Sequence, residues 1–174
     1  MIQIVVNDQG VADVLRRAHQ AAADPEPILR AAGTTLLSIT LGNFSVHGAA
    51  YRPKPWPPKR DGSPATLKKS GTLSSSFHLR VTPQEAVLSN PMPYAAIHQF
   101  GGKTPPHTIR PRLARALRFQ VRDTTVFAAR VEHPGSNIPA RPFVPITEAG
   151  EFTAAASSLI VAAAERALRR QLGV

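Results

Sequence analysis

The chain has no cysteine, few aromatic residues and no long apolar run. Its 174 residues include 6% Phe, Trp and Tyr. Without cysteine the chain forms neither disulfides nor thiolate metal sites, which is typical of a protein made in a reducing cytoplasm. Charged residues interrupt each apolar stretch before it reaches the length of a bilayer-spanning helix, so we predict no membrane association. The start, Met1–Val6, lacks the pattern of a secretory signal.

Recognisable catalytic and metal-binding patterns are also lacking. The six histidines include no pair at the i, i+4 spacing of a helical metal site. The run Gly101–Thr104 is similar to the end of a phosphate loop, but position 97 is Ile rather than glycine, and Pro105-Pro106 prevents the helix that would follow. We therefore predict that the chain is not an enzyme and binds no cofactor or metal. One alternative function is that of a small hydrolase or nuclease, which would depend on His98 or His107.

Positive charge is concentrated in the middle of the chain. The formal net charge is +10, and thirteen of the 21 Lys and Arg lie between residues 51 and 122, against two acidic residues there. Such a segment favours a face directed at an anionic partner, either DNA in a channel or an acidic ring of a partner protein. The alternative is that these loops only keep the chain soluble. The interface or channel candidates in this segment are Arg52, Lys54, Lys59, Arg60, Lys103, Arg110, Arg112, Arg115 and Arg118.

Residue periodicity predicts a single domain over 1–174 with an α+β fold, in which N-terminal helices and one long C-terminal helix pack an antiparallel β-sheet. Apolar spacing and capping residues predict the following elements: a helix over about 9–22 capped by Asn7-Asp8, a helix from Asp24 to about 46, a hairpin of 77–81 and 85–88, a short helix over 94–100, strands at 108–110, 116–121 and 125–131, and a helix over about 148–171.

The two long terminal helices carry specific expectations. The apolar stripe of the first helix comprises Val11, Val14, Leu15, Ala18 and Ala22. The buried stripe predicted for the last helix comprises Phe152, Ala156, Leu159, Ile160, Ala163, Ala167 and Leu168. The last helix should also carry Glu148 and Glu151 in its first turn, where negative charge favours the helix dipole, and stop at Gly173.

Residues 48–69 form a proline-rich, basic segment around the single tryptophan. So many prolines prevent a regular hydrogen-bonded ladder, and an extended or polyproline II conformation is expected. Trp56 either plugs the core of its own domain or anchors in a neighbouring subunit, and the residues leave both alternatives open. The second alternative makes this segment an inter-subunit arm that orders on assembly.

Two segments have unusually distinctive sequences. Residues 94–102 read as helical turns stopped by a glycine pair, which takes positive φ without steric cost. Residues 138–143 read as extended chain, because a residue that precedes proline avoids the α region. We expect Tyr94 to face inward, His98 to fix its helix through hydrogen bonds, and Arg141 to orient the structure through a carboxylate or helix carbonyls. The structural motif comprises Tyr94, His98, Phe100, Gly101, Gly102, Arg141, Pro142 and Phe143.

These segments carry a resemblance to a known family. Together with Ser70-Gly-Thr-Leu73, the order Tyr94-Ala95, Ile97–Gly102 and Ile138–Phe143 resembles the virion morphogenesis (tail completion) family of Mu-like and P2-like phages. The pieces at 107–111, 116–119 and 131–135 are similar to related neck and minor tail proteins of long-tailed siphophages. The matches span roughly residues 70 to 150.

The resemblance implies a structural tail completion or neck protein that forms a ring at the head-proximal end of the tail and permits joining to the head. It implies a homo-oligomer, a hexamer rather than a dodecamer, whose partners are adjacent neck or connector proteins, tail terminator or tail tube proteins, and DNA in the channel. The protein would be made in the host cytoplasm and become part of the virion. The alternative from charge alone is a non-specific nucleic-acid-binding protein, whose affinity falls steeply as salt rises.

Overall fold

The computed structural model describes residues 9–45 and 48–174. They form helices and antiparallel strands, so the predicted α+β class with a long C-terminal helix is confirmed. The helices are α1 (Gln9–Ala23), α2 (Glu26–Gly42), α3 (Thr72–Ser75), α4 (Ala95–Phe100) and α5 (Ala154–Leu172), with a 3-10 turn over Gly48–Tyr51. The strands are β1 (His78–Val81), β2 (Ala86–Ser89), β3 (Gly102–Lys103), β4 (His107–Ile109), β5 (Leu117–Val121), β6 (Thr124–Ala128), β7 (Val131–His133) and β8 (Asn137–Ile138).

The three long helices pack together, with α5 against both α1 and α2. α2 follows the predicted capping acid, since Asp24 Oδ1 accepts a hydrogen bond from the Glu26 N–H at 3.3 Å. α5 follows Thr153, whose side chain accepts from the Ala156 N–H at 3.4 Å. It stops at Gly173, which has a φ of +70°, as the sequence predicts.

The last helix begins later than the sequence predicts. Residues 147–151 form a turn in which the Thr147 N–H donates to the Glu151 carbonyl at 2.7 Å, and Ile146 and Phe152 form a β-bridge around it. The helix cannot begin until this turn ends. The expectation that Glu148 and Glu151 lie in its first turn is therefore wrong.

α5 buries its small side chains rather than its large ones. Ala156, Ala163 and Ala167 are buried, and small residues at this face let α5 lie close to α2. The predicted stripe is confirmed for these three alanines and wrong for Phe152, Leu159 and Leu168, which the structure leaves exposed.

Two large members of the apolar stripe predicted for α1 are exposed as well. Val11 is 62% and Leu15 65% exposed, whereas the buried residue of this helix is Ala21. The predicted cap at Asn7-Asp8 and the predicted end of α2 near residue 46 lie outside the described residues. We call Val11 and Leu15 the α1 patch.

The predicted hairpin after α3 is confirmed. β1 and β2 pair antiparallel, with Leu79 opposite Leu88, and the hairpin packs on α2. The contact is close at Gly33, where a β-carbon would lie 2.8 Å from Leu79 Cδ1. Glycine at this position therefore allows the hairpin to approach the helix.

An aromatic cluster forms the core beside the hairpin. Phe44 and Phe143 stack with ring centroids 5.2 Å apart, and Phe77 meets Phe143 edge-on at 5.7 Å. Leu73 and Ala95 complete the buried group, which brings α3 and α4 to the end of α2. Phe44 and Phe143, which are 99 positions apart in the chain, therefore share one core.

The remaining strands form one long two-stranded ribbon. β3 pairs with β8, β4 with β7 and β5 with β6, each antiparallel and each nested inside the previous pair. The chain reverses at Arg122, which has a φ of +52°. No residue between 102 and 138 is buried. We call residues 102–138 the ribbon; it leaves the helical body at Gly101 and returns to it at Pro139.

The helices in the described part of the chain include none that combines the length and apolar character needed to cross a membrane.

Candidate binding surfaces

The two distinctive segments, residues 94–102 and the stretch that begins at residue 138, are joined by hydrogen bonds. The Gln99 side chain is 6% exposed, and its Oε1 accepts hydrogen bonds from the N–H groups of Phe143 and Val144, both at 2.9 Å. Its Nε2 donates to the Val144 carbonyl at 3.1 Å. One amide side chain thus satisfies three buried backbone groups that have no strand to pair with.

Further side chains hold the same stretch from the other sides. Asn43 at the end of α2 donates to the Phe143 carbonyl at 2.9 Å, and the Trp56 indole donates to the Pro142 carbonyl at 2.7 Å. The Arg141 N–H donates to the His98 carbonyl at 2.7 Å. Residues 140–145, which we call the clamped segment, are fixed by α2, by α4 and by the proline-rich segment.

Trp56 lies against the core of its own chain. Its ring meets Phe44 edge-on at 6.0 Å, and the Arg52 guanidinium stacks over it at 3.8 Å. Arg52 also donates to the carbonyls of Asn43 and Ser45, which are unpaired at the end of α2. Burial lowers the pKa of the Arg52 guanidinium. Of the two predicted placements of Trp56, the structure therefore shows the one in which the ring packs on the core of its own domain.

The proline-rich segment is docked on the body through Arg141. Its Nε donates to the Pro57 carbonyl at 2.9 Å and its Nη2 to the Pro58 carbonyl at 2.8 Å. Arg141 therefore orients the structure, as predicted, but through loop carbonyls rather than an acid or helix carbonyls. Lys54 adds an exposed ion pair with Glu148 at 3.1 Å.

The glycine pair ends α4 as predicted. Gly101 has a φ of +75°, and its N–H donates to the Ile97 carbonyl at 2.9 Å. A β-carbon at Gly101 would lie 2.9 Å from the Ala140 nitrogen, so glycine is needed for both backbone conformation and proximity. Phe100 just before it is 67% exposed at the rim of a cavity of about 300 Å³.

Two expectations for α4 are wrong. The residues that this helix buries are Ala95 and Gln99, while Tyr94 at its cap is 40% exposed. The side chain that fixes the helix by hydrogen bonds is Gln99, and the Nδ1 of His98 has no partner among the described residues. The helix register explains both, because Ala95 and Gln99 are one turn apart on the inner face.

A groove opens on the outer side of these elements. It has a volume of about 660 Å³ and lies between the proline-rich segment, the start of α3 and α4. We call it the basic groove. Its lining residues are Lys59, Ala65, Thr66, Leu67, Lys69, Ser70, Leu73, Tyr94, His98 and Arg141.

The basic groove is cationic with an apolar floor. Lys59, Lys69 and Arg141 line it, no acidic residue does, and Leu67 and Leu73 provide aliphatic surface. In the described part of the chain, neither lysine makes a salt bridge, and Arg141 bonds only neutral carbonyls. The charge that faces this groove is therefore not neutralised by an ion pair.

His98 is held neutral at the groove wall. Burial, and secondarily the positive charge of Arg141, lowers the pKa of its imidazole. His107 lies instead on the ribbon, where its ring stacks on that of the cross-strand residue His133 at 5.0 Å. The two histidines of the hydrolase alternative are therefore on different elements, and within residues 9–45 and 48–174 no group of three or more potential metal ligands forms.

The ribbon carries the second concentration of positive charge. The ribbon contains seven Lys and Arg but two acidic residues. Among the described residues 102–138, the ion pair is Arg130–Glu132, at 3.9 Å. Of the predicted candidates the ribbon holds Lys103, Arg110, Arg112, Arg115 and Arg118, all exposed. Arg52, Lys54, Lys59 and Arg60 lie on the body. The structure thus divides the basic segment into two surfaces.

The ribbon tip also has an apolar face. Directly opposed residues of an antiparallel pair project to the same side. The opposed pairs Leu117–Ala128, Phe119–Val126 and Val121–Thr124 share one side, and five of these six residues are apolar. The substantial packing of β5 and β6 is with each other, and a two-stranded pair has no core of its own. We call this side the tip patch.

These surfaces can bind partners through charge and apolar area, which is what a structural component of an assembly needs. The chain belongs to the phage virion morphogenesis family, whose model matches residues 6–168. It is also similar to the Mu-like prophage FluMu G protein 2 of Haemophilus influenzae, with 36% identity over 104 residues, covering 59% of this chain and 72% of that protein. No solved structure matches it. Family membership confirms the resemblance and supports a structural part in phage morphogenesis.

Proposed function

We propose that the chain is a structural tail completion or neck protein that forms a ring at the head-proximal end of the phage tail and enables head–tail joining. Membership of the virion morphogenesis family supports the phage role. The ring is supported by the surfaces of the chain, chiefly the ribbon, which has no buried residue and an unpartnered apolar face. The mechanism is assembly, without a chemical step.

A ring of identical subunits requires two different, complementary patches on each chain. The tip patch and the α1 patch are two such surfaces, separate in the fold and both apolar. We assign the tip patch of one subunit to the α1 patch of the next. Burial of apolar area at this contact, which contributes about 25 cal/mol per Å², would stabilise the ring.

The ring model also uses the charge of the ribbon. With the tip patch covered, the arginines on the ribbon remain available to an anionic neighbour, which is either an acidic ring of a connector or tail protein or DNA in the channel. Six subunits match the tail symmetry implied by the family resemblance. The Lys54, Arg60 and Phe100 side chains lie on the body, where the proline-rich segment can add contacts to a neighbour.

Two blocking variants test the head-to-tail contact. Val121→Glu places a charge in the tip patch, and Leu15→Glu places one in the α1 patch; both side chains are exposed, so the fold should survive. Each variant alone should lose the ring by analytical ultracentrifugation. A mixture should give a defined heterodimer, because one intact copy of each patch remains, and no ring.

Matched controls place the same charge nearby. Gln120→Glu lies on the opposite side of the ribbon from Val121, and Gln20→Glu lies on α1 away from Leu15; both should keep the ring. Rings formed by either blocking variant would contradict the assigned patches. An unaltered chain that stays monomeric at all concentrations, in solution and in purified tails, would contradict the ring itself.

The exposed arginines favour one alternative, non-specific nucleic-acid binding. Arg110, Arg112, Arg115, Arg118 and Arg122 lie along one end of the ribbon, where phosphates could reach them. An isolated monomer that binds short DNA tightly, with an affinity that falls by several charge equivalents as salt rises, would favour this function. A monomer with weak affinity for DNA supports the structural proposal.

A further inference from the structure

We propose that the basic groove is a docking site for an acidic, extended peptide segment of a partner protein. The inference goes beyond ring formation, because it assigns a second and separate contact to the subunit. The partner is defined by its chemistry: carboxylates alternating with aliphatic side chains. The tip patch and the α1 patch take no part in this site.

Charge complementarity points to an acidic ligand. Lys59 and Lys69 are exposed, and the Arg141 guanidinium has carbonyl partners only. Asp61 offsets part of the charge of Lys59 through space, although its carboxylate is hydrogen-bonded to the Ser63 hydroxyl at 2.6 Å. A bound carboxylate would therefore meet net positive charge, chiefly from Lys69 and Arg141.

One wall of the groove offers a further bonding group. The Tyr94 hydroxyl has no hydrogen-bond partner in the described part of the chain. His98 Nδ1 also lacks a partner there, but this atom is buried. Tyr94 and His98 stand edge to face, with ring centroids 6.0 Å apart. A rigid aromatic wall with a free polar end is common at sites where proteins bind peptides.

The floor favours a peptide over nucleic acid. Leu67 is half-buried and offers aliphatic surface to Leu or Val side chains of a partner, while Leu73, which also lines the groove, is buried. A volume of about 660 Å³ is in the range of sites that enclose a small ligand or a few residues. Phosphate-binding surfaces are instead open and track a backbone, as the exposed ribbon does.

The clamp keeps the groove in shape before anything binds. Gln99 fixes α4 to the clamped segment, and Arg141 fixes the proline-rich segment to both. Hydrogen bonds therefore tie α4, the clamped segment and the proline-rich segment together. A preformed site loses less conformational entropy on binding.

The test uses the full chain and a labelled six-residue peptide that alternates Glu and Leu, capped at both ends. Fluorescence anisotropy should show saturable binding, and the matching peptide of Gln and Leu should bind at least about tenfold more weakly, because the like-shaped amide carries no charge. Lys59→Glu with Lys69→Glu should weaken binding of the Glu-Leu peptide by about tenfold or more.

The chain offers a charge-matched control. Arg60→Glu with Lys68→Glu makes the same change in net charge at exposed neighbours that do not line the groove. It should weaken binding by less than about threefold, because an exposed charge that does not contact the ligand contributes little. Equal losses in the two double variants would overturn the site, as would an unaltered chain that does not bind the peptide. Tighter, competing binding of a short single-stranded oligonucleotide, lost in the groove variant only, would assign the groove to nucleic acid.

The ring proposal is tested separately. The groove variant should keep the ring mass of the unaltered chain, since the groove is apart from both patches. A failed ring with intact peptide binding would refute the proposed assembly and leave the groove standing. A failed peptide assay with intact rings would do the reverse.

Discussion

At the scale of single residues, the fold depends on polar side chains that serve the backbone. Gln99, Asn43 and Arg141 together bond to six backbone groups of the clamped segment and the proline-rich segment, apart from the bonds that the backbone makes itself. Removing such a partner leaves buried groups without hydrogen bonds, which costs about 1–3 kcal/mol for each group. These motifs therefore need these residue types, because their polar side chains hydrogen-bond to backbone groups that lack other partners.

Gln99→Leu should therefore destabilise the chain by about 2–4 kcal/mol, because the N–H groups of Phe143 and Val144 lose their acceptor. Gln99→Glu keeps that acceptor but loses the donor to the Val144 carbonyl and buries a carboxylate, so it should not restore full stability. Urea unfolding followed by the fluorescence of the single tryptophan measures both. The exposed Gln84→Leu serves as the control, and equal stability of the Gln99 and Gln84 variants would contradict the role given to the clamp.

His98 should make stability depend on pH. Because burial and Arg141 lower the pKa of His98 in the folded chain, the unfolded chain takes up a proton first as the pH falls below about 6.5. The free energy of unfolding should thus decline from that pH down to the lowered pKa, and His98 should contribute no slope above it.

Urea unfolding of His98→Asn and of the unaltered chain, between pH 7 and pH 5, measures the contribution of His98 to the pH dependence of the free energy of unfolding. The variant should lose part of the slope, while His78→Asn, which removes an exposed histidine of β1, should keep it. A slope unchanged by His98→Asn would show that the imidazole is not held neutral by its surroundings.

At the scale of elements, the ribbon is an addition to the body rather than a part of its core. Its base is closed by the pairs Gly102–Ile138 and Lys103–Asn137, and none of its residues is buried. The aromatic core lies on the other elements, at the ends of α2, α3 and α4. Folding and assembly should therefore be separable properties.

Excision of residues 104–136, with Asn-Gly joining Lys103 to Asn137, tests this separation. The two residues suit a tight hairpin turn. The shortened chain should keep its stability within about 1 kcal/mol, because it loses exposed surface and a long loop. Its mass should be that of a monomer. A shortened chain that is unfolded would show that the ribbon belongs to the folding unit.

The elements themselves could largely be predicted from the sequence, because their signals are local. The β1–β2 hairpin follows from the alternation of Leu79 and Val81, and the end of α5 from Gly173. The start of α5 could not be predicted in this way, since the Thr147–Glu151 turn and the Ile146–Phe152 bridge compete with a sequence that otherwise favours helix.

The candidate surfaces were less accessible to prediction, because they arise from distant contacts. Trp56 and Pro142 are joined across 86 residues, and nothing local to either indicates the bond. The charge count found the basic segment but not its division between groove and ribbon. Lys69, Leu67 and Ser70 of the groove were missed as site residues, and only their nearness to the Ser70–Leu73 motif gave a signal.

At the scale of the whole molecule, the fold joins a rigid body to an exposed, basic ribbon. The family places the chain in virion morphogenesis. A body with one apolar patch and a ribbon with another can repeat around a closed ring, while the basic groove stays free for a neighbour. The proposal thus gives one small chain three separate contacts: with the next subunit of the ring, with an anionic neighbour through the ribbon, and with an acidic peptide segment in the basic groove.

Electron cryomicroscopy of purified tails, taken before they join heads, measures the position and copy number of this chain directly. The proposal predicts a closed ring of this fold, with six copies favoured, at the end of the tail that receives the head. Tails that contain no density for the chain, or that carry it only at the opposite end, would contradict the proposed function.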